Sequence, residues 1–145
     1  MPNWCEGTLK IRGKQKDIRQ FLKEGLEPAM GSKVVYNSTE QIRYDGSVWI
    51  KNTRRGFVDD VDVWFDKREN DQMIIALHAS FAWRIDAYPL IGVSQEYNID
   101  LRIYGFERGM EFCQDIEVID GKITKDDVIE YEDYLWDCPC PLLGG

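Results

Sequence analysis

The amino-acid sequence predicts an α+β domain in which two helices lie on one face of a mainly antiparallel sheet. Several short segments alternate apolar and polar residues with a period of two, which is typical of half-buried strands. Two other segments, residues 14–26 and 85–97, carry apolar residues at helical spacing. The order strand, helix, strands, helix, strands is that of a ferredoxin-like fold, here with extra hairpin strands near the C-terminus.

Length and composition indicate a single domain spanning residues 1–145. A chain of 145 residues buries enough surface to fold without disulfides or metals. Its content of 43% hydrophobic and 30% charged residues is typical of a globular protein. No apolar run approaches the roughly 18 residues of a membrane span, and the N-terminus lacks a signal peptide. We therefore expect a cytoplasmic protein that binds no membrane.

The first strand and helix follow directly from the spacing of apolar residues. Residues 4–12 alternate, with Cys5, Leu9 and Ile11 on one side, and Gly13 ends the strand. The apolar residues that come next recur at helical spacing, which predicts an amphipathic helix. They are Ile18, Phe21, Leu22 and Leu26.

The middle of the chain predicts further strands. Residues 42–44 and 48–50 flank a turn centred on Gly46, which indicates a hairpin. Residues 58–65 alternate and predict one strand. Residues 73–81 are apolar at nearly every position, which predicts a central strand covered on both faces.

The C-terminal third predicts a helix over residues 85–97 and strands over residues 101–106 and 112–119. Asp120 and Gly121 form a second turn signal. Residues 124–136 fit either a helix or a strand followed by a turn, and we favour the strand because of their β-branched and aromatic residues.

Two stretches resemble a known family. Residues 1–9, which begin Met-Pro-Asn-Trp-Cys, resemble the opening of the YubB-like ferredoxin-fold family of phage, plasmid and other mobile-element proteins, with Gly7 where an Asn is usual. Residues 81–83 and 101–112 are similar to the family's Trp, helix, strand, Glu, Gly, Phe sequence. The resemblance implies a ferredoxin-like fold. It implies no particular activity, because the family has no established biochemical function. A mobile-element origin favours an interaction protein that acts on host machinery.

Negative charge is concentrated at the C-terminus. The net charge is -8, and residues 1–110 are neutral overall. From about residue 111, an acidic extension carries ten carboxylates against Lys122 and Lys125. These acids either solvate an exposed face or form a docking surface for a basic protein. The candidate partner-binding residues are Trp64, Asp126, Asp127, Glu130, Glu132 and Asp133.

Most catalytic and metal chemistry is disfavoured by the residues present. His78 is the only histidine, which excludes mechanisms and metal sites that need a histidine pair, while a pair of His78 with Cys5 or Cys113 stays possible. The four cysteines lack zinc-site spacing, and a disulfide between Cys138 and Cys140 would be strained. Phosphate-binding loops and nucleophile elbows are absent from the sequence.

We therefore expect a non-enzymatic protein-interaction module without catalytic residues, metal or cofactor, whose partner is a host or phage protein with a basic surface. One alternative is an inhibitor of host defence that presents carboxylates as phosphate mimics. Another is a nucleic-acid binder that uses an open sheet face, with Arg54 and Arg55 contacting phosphates. The overall charge makes direct nucleic-acid binding unfavourable. Among the other acids, Glu107 is expected to contact Arg84, Arg102 or Arg108.

Overall fold

The structure is a computed structural model that describes residues 1–29 and 31–145. A π-helical turn, Phe21–Gly25, extends the first helix. In chain order, the elements of the described residues are β1 (Trp4–Lys14), α1 (Gln15–Gln20), β2 (Leu26–Pro28), β3 (Lys33–Asn37), β4 (Gln41–Asp45), β5 (Val48–Ile50), β6 (Gly56–Asp59), β7 (Asp62–Trp64), β8 (Gln72–Ala82), α2 (Tyr88–Tyr97), β9 (Asp100–Glu107), β10 (Phe112–Ile119), β11 (Lys122–Glu130) and α3 (Tyr134–Asp137).

The strands form two antiparallel sheets within the described ranges. The larger has eight strands in the order β11-β10-β9-β1-β8-β6-β5-β2, and the smaller has three in the order β3-β4-β7. β1 is central and long, and it pairs with β8 from Trp4 opposite Ala82 to Lys14 opposite Gln72. Its other side pairs with β9.

The ferredoxin-like prediction is wrong. Strands hold 49% of the residues and helices only 17%, in an eight-stranded sheet with three short helices. Strands over residues 48–50 and 112–119 were predicted, but a sequence pattern does not specify that such strands pair into one large sheet. β6, β5 and β2 lengthen the sheet on one side, and the β10–β11 hairpin lengthens it on the other.

The main core lies between the eight-stranded sheet and the two longer helices, on what we call the helix face of the sheet. α1 contacts β1 and β8, while α2 contacts β9 and β10. Cys5, Leu9 and Ile11 point into this core and are at most 1% exposed, as their alternation predicts. The buried helical residues Ile18, Phe21, Leu22, Leu90 and Val93 pack in the same cluster.

Two strand predictions in the middle of the chain are wrong because neighbours in sequence belong to different sheets. The turn at Gly46 joins β4 of the small sheet to β5 of the large one, so these strands do not form a hairpin. Residues 58–65 do not form one strand. Asp60 adopts a left-handed conformation with φ of 55°, which divides the segment into β6 and β7.

β8 is half-buried, and the prediction of a strand covered on both faces is wrong. Leu77, Ala79 and Phe81 are buried, whereas alternate residues such as Ile74 and His78 are exposed. The helices cover only one face of the sheet, so the other side of β8 is left in water.

The C-terminal segment covers part of the opposite face, which we call the tail face. Residues 122–130 are a strand, as favoured above, and a single helical turn, α3, follows it. The tail, residues 138–145, then crosses the sheet, where the N–H of Gly145 donates to the carbonyl of Trp4 at 2.8 Å. Phe106, Cys113, Tyr134 and Cys138 form a second apolar cluster beneath this segment.

In the described part of the chain, no helix has both the length and the apolar character needed to cross a membrane.

Candidate functional site

β11 is an open edge of the eight-stranded sheet. It pairs with β10 on one side and has no neighbouring strand on the other among the described residues. Of its nine residues, only Lys125 and Ile129 are partly buried, and the rest are exposed. A strand in this position presents unpaired backbone N–H and C=O groups to solvent.

The five acids predicted to bind a partner lie together along this edge. Asp126, Asp127 and Glu130 belong to β11, and Glu132 and Asp133 lie two and three residues beyond its end, all of them exposed. We call these five residues the acidic edge.

The acidic edge is negative on both faces of the sheet. Asp126 lies opposite Ile116 on the helix face, whereas Asp127 lies opposite Asp115 on the tail face. Successive strand residues point to opposite faces, so the charge surrounds the free edge of β11 and does not form a one-sided patch.

Other C-terminal carboxylates are engaged inside the protein. Asp115 is 4% exposed, and its Oδ2 atom lies 2.7 Å from the Nζ atom of Lys125. Hydrogen bonding to Asp115 raises the pKa of Lys125 above its usual value. Glu117 pairs with Arg102 at 3.2 Å and accepts a hydrogen bond from the hydroxyl of Thr124 at 2.8 Å. These carboxylates stabilise the β9–β10–β11 region and are not free to bind a partner.

Exposed apolar residues accompany the acidic edge. Val128 is 50% exposed on β11, and Trp136 is 84% exposed on α3. Asp133 caps α3, because its carboxylate accepts a hydrogen bond from the N–H of Trp136 at 3.3 Å. Trp136 was not predicted as a contact residue. The available signal was a tryptophan in the acidic run Glu-Asp-Tyr-Leu-Trp-Asp.

Trp64 does not join this site. It is 63% exposed, as expected of a contact residue, but it lies on β7 in the small sheet. β6, which precedes β7, is separated from β11 by β10, β9, β1 and β8, a distance of about 24 Å at the usual strand spacing. A ligand at the acidic edge would have to be long to contact Trp64.

The cysteines are free and mostly buried. Burial raises the pKa of both Cys5 and Cys113 to about 12. The Sγ atoms of Cys113 and Cys138 lie 3.7 Å apart in the second apolar cluster, while Cys140 is exposed. Such buried thiols are poor nucleophiles because the reactive thiolate is scarce.

His78 is bonded to a carboxylate and not to a thiol. Its Nδ1 atom lies 3.1 Å from Oδ2 of Asp59, whose other oxygen accepts a hydrogen bond from Ser47. Cys140 and His78 line one cleft, but no hydrogen bond joins them among the described residues. The possible pairs of His78 with Cys5 or Cys113 are not formed either.

Glu107 contacts backbone, and the expectation that it contacts an arginine is wrong. Its carboxylate is fully buried and accepts hydrogen bonds from the N–H groups of Gly109 at 2.6 Å and Met110 at 2.9 Å. It therefore stabilises the turn between β9 and β10.

Comparison with known proteins identified no relative of this chain. No model of a protein family, no curated protein and no solved structure matches this chain. The resemblance of residues 1–9 to the YubB-like family therefore stays a prediction.

Proposed function

We propose that this protein is a non-enzymatic interaction module that binds an extended, basic segment of another protein along β11. The observation that carries this proposal is the free, exposed edge of a nine-residue strand flanked by the five carboxylates of the acidic edge. A basic segment fits both features, since its backbone pairs with the strand and its side chains meet the carboxylates.

The backbone of β11 supplies the affinity in this proposal. An extended peptide that adds to a sheet edge forms main-chain hydrogen bonds with the free N–H and C=O groups of the edge strand. β11 is held in place on its other side by β10 over its whole length, with one irregularity between Glu117 and Val118. The binding edge is therefore formed before the partner arrives.

The acidic edge supplies the selectivity. Carboxylates on both faces of β11 attract Lys and Arg side chains on either side of an added strand and accelerate the encounter. They also repel a second copy of the same chain, which limits edge-to-edge aggregation. The same charge repels nucleic-acid phosphates from this edge.

Val128 and Trp136 supply apolar contacts. Exposed tryptophans are enriched among the residues that contribute most to binding at protein interfaces. Trp136 lies six residues after Glu130, the last residue of β11, and we expect an added strand that extends past Glu130 to contact its ring.

The partner in this proposal is a host or phage protein with a basic surface, met in the cytoplasm. A reducing cytoplasm is compatible with free thiols at Cys113 and Cys138, which lie 3.7 Å apart without a bond. The resemblance to mobile-element proteins supports the same type of partner.

Fluorescence anisotropy with two dye-labelled peptides tests the proposal. Both peptides match the nine residues of β11 in length; one alternates lysine and valine, and the other alternates glutamate and valine. We expect the basic peptide to bind and the acidic peptide not to bind. Raising NaCl from about 50 mM to about 500 mM should weaken binding strongly, because it shortens the Debye length to a few ångströms.

Charge reversal locates the site. The variant Asp127→Lys should weaken binding of the basic peptide by about tenfold or more. Glu40→Lys is the matched control, because Glu40 is exposed in the loop before β4, and it should leave the affinity unchanged. Equal binding of the two peptides, or equal effects of the two charge reversals, would contradict the proposal.

A further inference from the structure

A cleft lies at the end of the sheet where β1 begins and β8 ends. Its volume is about 520 Å³, within the range of small-molecule sites. The loop before β6 forms one wall, and the connection from β8 to α2 forms the other. The side chains that the argument uses are Arg54, Arg55, Trp83, Arg84, Asp86 and Asp126.

Three arginines in this cleft have no carboxylate partner among the residues that the structure describes. Arg54, Arg55 and Arg84 are exposed, and none of them lies within 4.0 Å of a carboxylate oxygen in the described part of the chain. This is unexpected in a chain with 26 acidic residues, two of which line the same cleft. Three arginines that line one cleft favour a multiply charged anion, which guanidinium groups bind through charge-assisted hydrogen bonds.

Hydrogen bonds hold the loop that carries two of these arginines. Thr53 is 6% exposed, and its hydroxyl donates to the carbonyl of Ile50 at 2.6 Å and accepts from the N–H of Gly56 at 3.1 Å. The carbonyl of Arg55 accepts a hydrogen bond from the N–H of Ala82 at 3.1 Å. The guanidinium of Arg55 lies over the ring of Trp4, 5.6 Å from its centroid.

Trp83 occupies a backbone conformation that is unfavourable for a bulky residue. Its φ of 69° lies in the left-handed region, and its N–H donates to the carbonyl of Asn3 at 2.7 Å. The side chain is nevertheless 56% exposed, so core packing does not account for this conformation. Such strain is concentrated at functional sites, and here it holds an indole ring at the cleft beside three arginines.

We propose that this cleft binds a free nucleoside di- or triphosphate. The three arginines would hold the phosphates, and Trp83 would stack on the base, as aromatic side chains do in nucleotide recognition. Asp86 and Asp126 also line the cleft, and this negative charge disfavours a polynucleotide, whose many phosphates would be repelled. Asp126 lines both this cleft and the acidic edge, but the arginines and Trp83 that carry this proposal belong to the cleft alone.

Isothermal titration calorimetry of the full chain tests this proposal with ATP, inorganic triphosphate, adenosine and a single-stranded oligonucleotide. We expect ATP to bind about fivefold or more tightly than triphosphate, because it adds base stacking. Adenosine should give no measurable binding. Absence of ATP binding, or tighter binding of the oligonucleotide than of ATP, would overturn the proposal.

Substitutions test which arginines bind ATP. Arg54→Ala and Arg84→Ala should each lower the affinity for ATP by about tenfold or more, because each removes charge-assisted hydrogen bonds. Arg43→Ala, on β4 outside the cleft, is the matched control and should have no effect. Unchanged ATP affinity in both cleft variants would place any binding elsewhere and overturn the assignment.

Trp83→Gly separates binding from folding. Glycine adopts positive φ without steric cost, so the thermal midpoint should be maintained or raised. The affinity for ATP should fall to that for triphosphate, and Trp83→Phe should recover part of it. Unchanged ATP affinity in correctly folded Trp83→Gly would contradict the stacking role.

Discussion

Gly7 of β1 and Gly105 of β9 lie directly opposite each other at the centre of the eight-stranded sheet. A Cβ atom at Gly7 would lie 2.0 Å from the carbonyl oxygen of Tyr104, and one at Gly105 would lie 2.6 Å from Cδ1 of Ile85 and 2.7 Å from Sγ of Cys5. The two strands and the residues packed on them therefore approach more closely than side chains allow. The contact with the carbonyl of Tyr104 explains why no side chain fits at Gly7.

Replacement of Gly7 should therefore destabilise the fold. Gly7→Ala places a methyl group against backbone, which cannot move without shifting β9, so we expect a loss of about 1–3 kcal/mol in the free energy of unfolding. Urea unfolding followed by circular dichroism measures the change. Thr8→Ala, on the exposed face of the same strand, is the control, and a Gly7→Ala variant no less stable than this control would contradict the close approach.

Thiol reactivity should distinguish Cys140 from the other cysteines. At neutral pH, an aromatic disulfide reagent should label one thiol per native chain rapidly, because Cys140 is exposed while Cys5, Cys113 and Cys138 are buried. The pKa of about 12 at Cys5 and Cys113 leaves almost no thiolate there. Cys140→Ser should abolish the rapid phase, and a second rapid thiol in the native wild-type chain would contradict the burial.

Stability should depend on pH through Asp66. Hydrogen bonds from the side chain and backbone of Arg68, then from Gln15, hold the pKa of Asp66 far below its usual value. A carboxyl with a depressed pKa stabilises the fold above its unfolded pKa of about 4, and this contribution is lost as the pH falls through the folded value.

The wild-type chain should therefore have a higher thermal midpoint than Asp66→Asn near neutral pH, and the difference should shrink as the solution is acidified below about pH 4. Thermal unfolding across this pH range measures it. A difference that stays constant with pH would show that the carboxylate contributes only through packing.

Asp133 has two separable roles, as the cap of α3 and as a charge of the acidic edge. Asp133→Ala removes both and should cost about 1 kcal/mol or less in global stability, because α3 is a single exposed turn. Asp133→Asn retains a capping oxygen and removes only the charge. We expect Asp133→Ala to lower the affinity for the basic peptide more than Asp133→Asn does, because loss of the cap also frees Trp136 to move. Equal losses of peptide affinity would assign the whole effect to charge.

The long elements of this fold were predictable, whereas the pairing between short ones was not. β1 alternates over its whole length, and its buried residues were correctly identified from that pattern. The left-handed conformation at Asp60, by contrast, has no glycine to signal it, so β6 and β7 could not be separated in advance. The turn at Gly46 is a correct local signal, but a turn does not specify whether the strands it joins pair with each other.

The candidate sites also include parts that the sequence predicted and parts that it did not. The clustering of the five carboxylates was predictable because they lie within residues 126–133. Trp136 depends on how α3 sits after β11, which no sequence pattern shows. The arginine cleft combines Arg54 and Arg55 with Arg84, about thirty residues later, and they meet only because β6 pairs with β8.

Amide hydrogen exchange followed by NMR tests the central claim most directly. In the free protein, the amides of β11 that point away from β10 should exchange rapidly, because they have no acceptor. Saturation with the basic peptide should slow those alternate amides selectively, while the amides of β2, at the opposite edge of the sheet, keep their rates. Binding of the peptide without slower exchange in β11, or with protection at another element, would contradict strand addition at this edge.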